Sequence, residues 1–112
     1  MGVFTVKAKF YNPRETEKFI TLEALVDTGA TFAGLPASIL RDLGIEPEKM
    51  VDIRLGDGYS IIDLEVEGKS GLVQVLFKEE GAPAVIGATA LEVLGFSVDP
   101  VEKRLIPKPP LD

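Results

Sequence analysis

The chain of 112 residues contains no histidine and no cysteine, and these two absences narrow its possible chemistry. Without cysteine there are no disulfides and no thiolate nucleophiles, which fits a reducing compartment. Without histidine, the side chain most often used as a general base near neutral pH is missing. Carboxylate chemistry is therefore the main route that remains for hydrolysis.

Long apolar runs and dense basic clusters are also missing. No apolar stretch reaches the roughly 18 residues that a membrane helix needs, and the first residues lack the pattern of a signal peptide. We therefore expect a cytoplasmic protein with no membrane partner. The net charge is -6 and Lys and Arg are dispersed, which argues against a nucleic acid partner because binding phosphates needs grouped basic side chains. The length and the 46% of apolar residues predict one globular domain over residues 1–112.

Alternating apolar and polar residues predict that most of the chain forms β-strands. The alternation runs through residues 4–10, 20–26, 51–55 and 62–66, and residues 72–77 are expected to be the strand that returns after the turn following 62–66. We expect the first two segments to form an antiparallel hairpin with a loop at 12–18, and a second hairpin to turn at 67–70.

Two short helices and a final hairpin complete the prediction. Pro36 suits the first position of a helix that ends at Gly44, and a second helix should stop at Gly95. Residues 96–99 and 104–107 predict two strands around a turn at Pro100. The sequence thus predicts an all-β, barrel-like domain with two short helices.

Residues 25–31, Leu-Val-Asp-Thr-Gly-Ala-Thr, form the most informative stretch of the chain. An apolar strand runs into Asp27, and Thr28, Gly29 and Ala30 follow, so a tight turn should present one carboxylate beside a hydroxyl. Asp-Thr-Gly is also ordinary turn chemistry, in which the Asp side chain bonds its own backbone and Gly adopts a positive φ. The motif alone leaves both interpretations open.

A second motif makes the chain resemble the retropepsin-type aspartic proteases, the family of retroviral proteases and their prokaryotic single-domain relatives. Residues 25–31 resemble the catalytic motif of that family. Ala84-Val85-Ile86-Gly87 resembles its second motif, two hydrophobic residues and a glycine before a helix, and the spacing between the two motifs also fits. The ending at 94–99 and 104–107 is similar to the prokaryotic members in particular. The resemblance covers nearly the whole chain and implies the closed, barrel-like acid protease fold.

The resemblance implies an aspartic endopeptidase that hydrolyses peptide bonds with a water activated between two carboxylates, without a metal or another cofactor. One chain supplies one Asp-Thr-Gly, so the pair would consist of Asp27 from each subunit of a homodimer. The substrate would be a peptide or a protein. Thr28, Gly29 and Ala30 would complete the active-site loop, and the Ile86-Gly87 pair would support that loop from below.

Retropepsins cover their substrate with a flap, and residues 51–66 are the candidate flap here. Its tip and substrate contacts would be Leu55, Gly56, Asp57, Gly58 and Tyr59. Only nine residues separate the last of these glycines from the next one along the chain, so the second arm is short. A short flap leaves a wetter cleft. The alternative function is therefore a non-catalytic dimeric module that binds peptides or proteins in a protease-like fold.

Three acidic residues on one predicted strand offer a different chemistry. Asp63, Glu65 and Glu67 alternate, so they share a face. A metal site is conceivable there, but we expect a solvated strand face and no metal.

Overall fold

Eight strands and two helices lie in residues 4–47 and 58–108, the parts of the chain that the structure, a computed structural model, describes. In chain order they are β1 (Phe4–Asn12), β2 (Glu15–Val26), β3 (Ala33–Pro36), α1 (Ala37–Asp42), β4 (Tyr59–Val66), β5 (Lys69–Lys78), β6 (Val85–Ile86), α2 (Ala88–Leu94), β7 (Phe96–Asp99) and β8 (Arg104–Pro107).

Six of these strands close into a barrel in the order β1-β2-β6-β3-β5-β4. The two hairpins β1–β2 and β4–β5 are antiparallel and form most of the wall. The short strands β3 and β6 join them through parallel pairing, β3 with β5 and β6 with β2. Strands β7 and β8 form a separate two-stranded sheet. The predicted all-β barrel with two short helices is therefore confirmed.

The core follows the alternation that the sequence predicts. Along β4 every second residue points into the barrel, and the same holds for the second half of β1 and for β5 from Val73 onwards. The largest side chains that are completely or almost completely buried are Phe10, Phe77, Leu35, Leu40, Ile62, Leu64, Ile86, Val66 and Val75. Helix α2 adds Leu91 and Leu94 to the same cluster. The barrel interior is thus filled by side chains, so no site lies inside it.

The first hairpin turns earlier than the sequence predicts. Strand β2 begins at Glu15, so the loop at 12–18 is replaced by a tight turn at Pro13-Arg14. Asn12 explains the difference, because its Oδ1 accepts the backbone N–H groups of Arg14 at 2.8 Å and Glu15 at 3.2 Å. An Asx turn of this kind closes the chain locally.

The first helix is shorter than predicted and β3 was not predicted at all. Pro36 is the last residue of β3 and the N-cap of α1, with φ -54° and ψ 139°, rather than its first helical residue. Gly44 follows the helix with φ +82°. The predicted strand at 51–55 lies outside the described residues, whereas the hairpin turn at 67–70 is confirmed, with Val66 paired to Lys69.

Candidate functional site

Asp27 is the first residue beyond β2, and its loop is fixed by three short hydrogen bonds. Its N–H donates to the Ile86 carbonyl at 3.1 Å, and its own carbonyl accepts the Ala30 N–H at 3.1 Å. The Gly29 N–H donates to the carboxylate Oδ1 at 2.9 Å. The carboxylate is therefore oriented by the turn that follows it. Asp27 is half-buried, and Thr28 and Gly29 are exposed.

Gly29 lies so close to that carboxylate that a side chain at this position would crowd it. A Cβ at this position would lie 3.2 Å from Asp27 Oδ1, with no other atom within 4 Å. Its φ is not positive, so the reason for glycine here is space rather than a left-handed conformation. Any side chain at residue 29 would crowd the oxygen that the turn orients.

The start of α2 holds the same loop from the other side. The backbone N–H groups of Ala88 and Thr89 donate to the carbonyls of Ala30 at 2.7 Å and Thr31 at 3.0 Å. The Thr89 hydroxyl donates to the Thr31 carbonyl as well, at 2.7 Å. Gly87 permits this contact, because a Cβ there would lie 2.6 Å from the Phe32 carbonyl oxygen.

A surface cleft of about 360 Å³ opens beside Asp27. Its walls come from the Asp27 loop and from the adjoining strands β3, β5 and β6, and its lining residues are Asp27, Ala30, Thr31, Phe32, Gly34, Leu76, Lys78 and Val85. Asp27 and Lys78 are the charged members of this set. Two larger depressions, of about 520 and 600 Å³, lie along β1 and around the Asn12 turn. Neither includes Asp27, so the smaller cleft beside Asp27 is the candidate site.

The predicted site residues do not all meet at this cleft. Asp27 and Ala30 line it, and Ile86 is fully buried behind the loop with Gly87. Leu55, Gly56 and Asp57 lie outside the described residues.

The two described flap residues belong to the barrel wall. Gly58 is buried with φ +124°, and its carbonyl accepts the Phe77 N–H at 3.0 Å. Tyr59 opens β4 and pairs with Leu76. Within the described chain, neither of them lines the cleft.

The acidic face of β4 shows a structural contact instead of a cluster of ligands. The Tyr11 hydroxyl donates to Glu65 Oε1 at 2.8 Å, and this bond raises the pKa of Tyr11 above its usual value. Over residues 4–47 and 58–108, no three His, Cys, Asp or Glu side chains come close enough to hold a metal ion. None of the helices in those ranges is long and apolar enough to cross a membrane.

Several residues of the site were not predicted from the sequence. Thr31 belongs to the stretch 25–31 but was given no role of its own, and Phe32 follows that stretch directly, an adjacency that was a usable signal. Thr89 is also recognisable as a hydroxyl in the first turn of the helix after Gly87. Leu76 and Lys78 carry no such signal, because only the parallel pairing of β3 with β5 brings them to the cleft.

The comparison with solved structures identifies the class of fold. The chain is similar to the crystal structure of the retroviral protease-like domain of Ddi1 from Leishmania major, with a TM-score of 0.54 and 15% sequence identity. The match covers 98% of this chain and 98% of that chain. No protein-family model and no curated protein sequence matches.

At so low a sequence identity the likeness shows the fold alone. This chain therefore has a retropepsin-like fold, an aspartic protease-like scaffold, and the predicted fold class is confirmed. Its affiliation with the prokaryotic branch stays a prediction.

Proposed function

We propose that this protein is an aspartic endopeptidase that acts as a homodimer through paired Asp27 carboxylates. The observation that carries the proposal is the position of Asp27 in a retropepsin-like barrel. The carboxylate stands at the end of β2, in a loop fixed by its own turn and by α2, beside a cleft. One chain supplies one such loop, so a second carboxylate requires a second copy related by a twofold axis.

The proposed reaction needs two carboxylates and one water. Two carboxylates at short range share one proton, because like charges that close do not both ionise. The ionised member removes a proton from the water, whose oxygen adds to the carbonyl carbon of the peptide bond. The protonated member donates to the carbonyl oxygen. The C–N bond then breaks: the departing amine takes up the proton from one carboxyl, a hydroxyl of the tetrahedral intermediate gives its proton to the other, and the pair again holds one proton beside the carboxylic acid product.

The surroundings of Asp27 suit a peptide substrate. The cleft is walled by the Asp27 loop and by β3, β5 and β6, and most of its lining side chains are small or apolar. Because Thr28 and Gly29 are exposed in the single protomer, the same loop is free to meet its copy across the axis. We propose a peptide or protein in the cytoplasm as the substrate.

The test combines oligomeric state with activity. Sedimentation velocity should find a dimer, and the wild-type protein should cleave members of a mixed peptide library between acidic and neutral pH. Asp27→Asn should lose turnover while the dimer persists. Asp63→Asn is the matched control, because it makes the same chemical change on β4, outside the cleft.

Each failure of this test has a distinct meaning. A strictly monomeric protein, or full activity in Asp27→Asn, would refute the proposal. A normal dimer that binds peptides but cleaves none would favour the non-catalytic binding module.

A further inference from the structure

The charge balance of the cleft is the basis of a further inference, which rests on the proposed function. Among the eight lining residues in the described part of the chain, Asp27 is the one acidic side chain and Lys78 the one basic side chain. If the carboxylate serves the chemistry, the ammonium group is left to interact with the substrate. The chain as a whole carries a net charge of -6, so a cationic wall at this point differs from the protein average.

Lys78 reaches the cleft because its side chain passes over a glycine of β3. Lys78 is the last residue of β5 and pairs with Pro36, and Gly34 is paired two residues back along the same ladder. A Cβ on Gly34 would lie 3.0 Å from Cγ and 3.2 Å from Cδ of the lysine. The aliphatic stem therefore runs across the glycine, and Lys78 is one of the residues that line the cleft.

Gly34 has no conformational reason to be glycine. Its φ is not positive, and it lies within β3, where glycine weakens a strand. The short distances to the lysine stem supply a reason, because a side chain at residue 34 would displace it. The two residues thus form a matched pair.

The lysine is not neutralised by neighbouring carboxylates in the described chain. None of the ion pairs within residues 4–47 and 58–108 involves Lys78. The carboxylate of Glu80, two residues away, is bound to the hydroxyl and the N–H of Ser38, at 2.6 and 3.1 Å. Within those ranges the half-buried Lys78 therefore pairs with no carboxylate.

We propose that Lys78 is a specificity determinant that selects peptides with an Asp or Glu side chain near the scissile bond. The lysine stem lies against the wall, and its ammonium group pairs with the substrate carboxylate. A partly exposed ion pair of this kind should favour Glu over Gln by about twofold to fivefold. Because the pair forms on binding and persists in the transition state, the preference should appear mainly in KM.

The experiment uses one cleaved peptide from the mixed library, resynthesised with Glu, Gln or Lys at each of the three positions on either side of the scissile bond. Wild type should prefer Glu at one position at least. Lys78→Glu should reverse that preference in favour of Lys. Lys103→Glu is the control, since it makes the same charge change on the exposed turn between β7 and β8, and it should leave the ratio unchanged.

A second variant tests the geometry without changing the charge. Gly34→Ala should displace the lysine stem and reduce the Glu-over-Gln ratio. The inference is overturned if Lys78→Glu keeps the wild-type ratio, or if Lys103→Glu shifts it equally.

Fluorescence anisotropy separates this inference from the proposed function, with a peptide chosen from the library because the protein binds it and varied with Glu, Gln or Lys in the same way. A Lys78-dependent preference for Glu in binding, without cleavage, would support the inference while the endopeptidase proposal fails. Cleavage with no dependence on Lys78 would overturn the inference and leave the endopeptidase proposal standing.

Discussion

Gly87→Ala should destabilise the protein strongly, although it adds one methyl group. Gly87 is buried at the junction of β6 and α2. A Cβ there would lie 2.6 Å from the carbonyl oxygen of Phe32, 2.7 Å from that of Ala30 and 2.8 Å from the carbonyl carbon of Phe32. All three atoms belong to the backbone, so no side chain can rotate away.

The size of the effect follows from these distances. Ordinary contact begins near 3.4 Å, so the tightest approach would have to widen by about 0.8 Å. A shift of that size would lengthen the bond from the Ala88 N–H to the Ala30 carbonyl from 2.7 Å to about 3.5 Å, the limit of a hydrogen bond. Overpacking costs about 1–3 kcal/mol, and the two backbone hydrogen bonds from Ala88 and Thr89, if weakened, cost about 1 kcal/mol each. The substitution also reduces the freedom of the unfolded chain, which stabilises the folded state by about 0.4–1 kcal/mol. The net loss of stability is therefore about 3 kcal/mol.

Urea denaturation followed by circular dichroism measures this loss directly, at one fixed protein concentration because association shifts the midpoint. If the unfolding free energy depends on urea concentration with an unchanged slope, the urea midpoint should fall by the lost free energy of unfolding divided by that slope. The corresponding decrease in Tm is about 12 °C for a domain of this size.

Gly71→Ala is the matched control for this measurement. It adds the same methyl group, but its nearest neighbour is a side-chain methyl of Val93 at 2.9 Å. Val93 is 55% exposed and can move, so the variant should lose less than about 1 kcal/mol. If Gly87→Ala unfolds at the wild-type midpoint, or costs no more than the control, the close approach is not the reason for glycine there.

Two further predictions concern stability away from the loop. The hydroxyl and the N–H of Ser38 bond Glu80 and hold the pKa of that carboxyl below its ordinary value. The stabilisation from these bonds should be fully present above the pKa that Glu80 has in the unfolded chain. It should disappear as the pH falls through the lower pKa that Glu80 has in the folded protein. The urea midpoints of wild type and Glu80→Gln should therefore differ at pH 7 and converge in acid, and a difference that persists at pH 2 would contradict this. Asn12→Ala should cost about 2–3 kcal/mol in thermal melts, because the buried amide donates to the Leu43 carbonyl at 2.9 Å and accepts two backbone N–H groups. A loss below about 0.5 kcal/mol, typical of a surface change, would contradict it.

The sequence predicts the strands with clear alternation because burial on one face of a sheet enforces a period of two. Residues 4–10 and 62–66 repeat that pattern without interruption, and both lie within observed strands. The pattern fails at β3, where all four residues of Ala33–Pro36 are buried. A strand buried on both faces has no polar side to alternate with. The sequence therefore gives no sign of this strand and predicts only the helix that begins at Pro36.

From the residues alone, the site was predictable where its members are neighbours in sequence, whereas Ile86 and Gly87 were predicted only through the family resemblance. Asp27, Gly29 and Ala30 act through contacts within four residues, and such local turns are visible in the residue order. Lys78 reaches the cleft because Ala33–Pro36 pairs with the end of β5. These two segments are far apart in the sequence. Long-range pairing leaves no local trace in one sequence, so Lys78 was not identified.

Some glycines and hydrogen bonds of the site are needed by the fold whether or not the protein is an enzyme. Gly87 and the bonds from α2 are explained by packing alone, and a binding module would keep them. The negative charge of Asp27 is different, because an asparagine Oδ1 could accept the same bond from the Gly29 N–H. The turn therefore needs the oxygen but not the charge.

This distinction predicts that Asp27→Asn is silent in folding. Its free energy of unfolding should stay within about 0.5 kcal/mol of wild type, the range of surface substitutions, when both are measured at the same concentration. Lost turnover in such a variant would then report the missing carboxylate itself. A large loss of stability would mean that the charge supports the loop, and the activity of the variant would no longer assign a chemical role to Asp27.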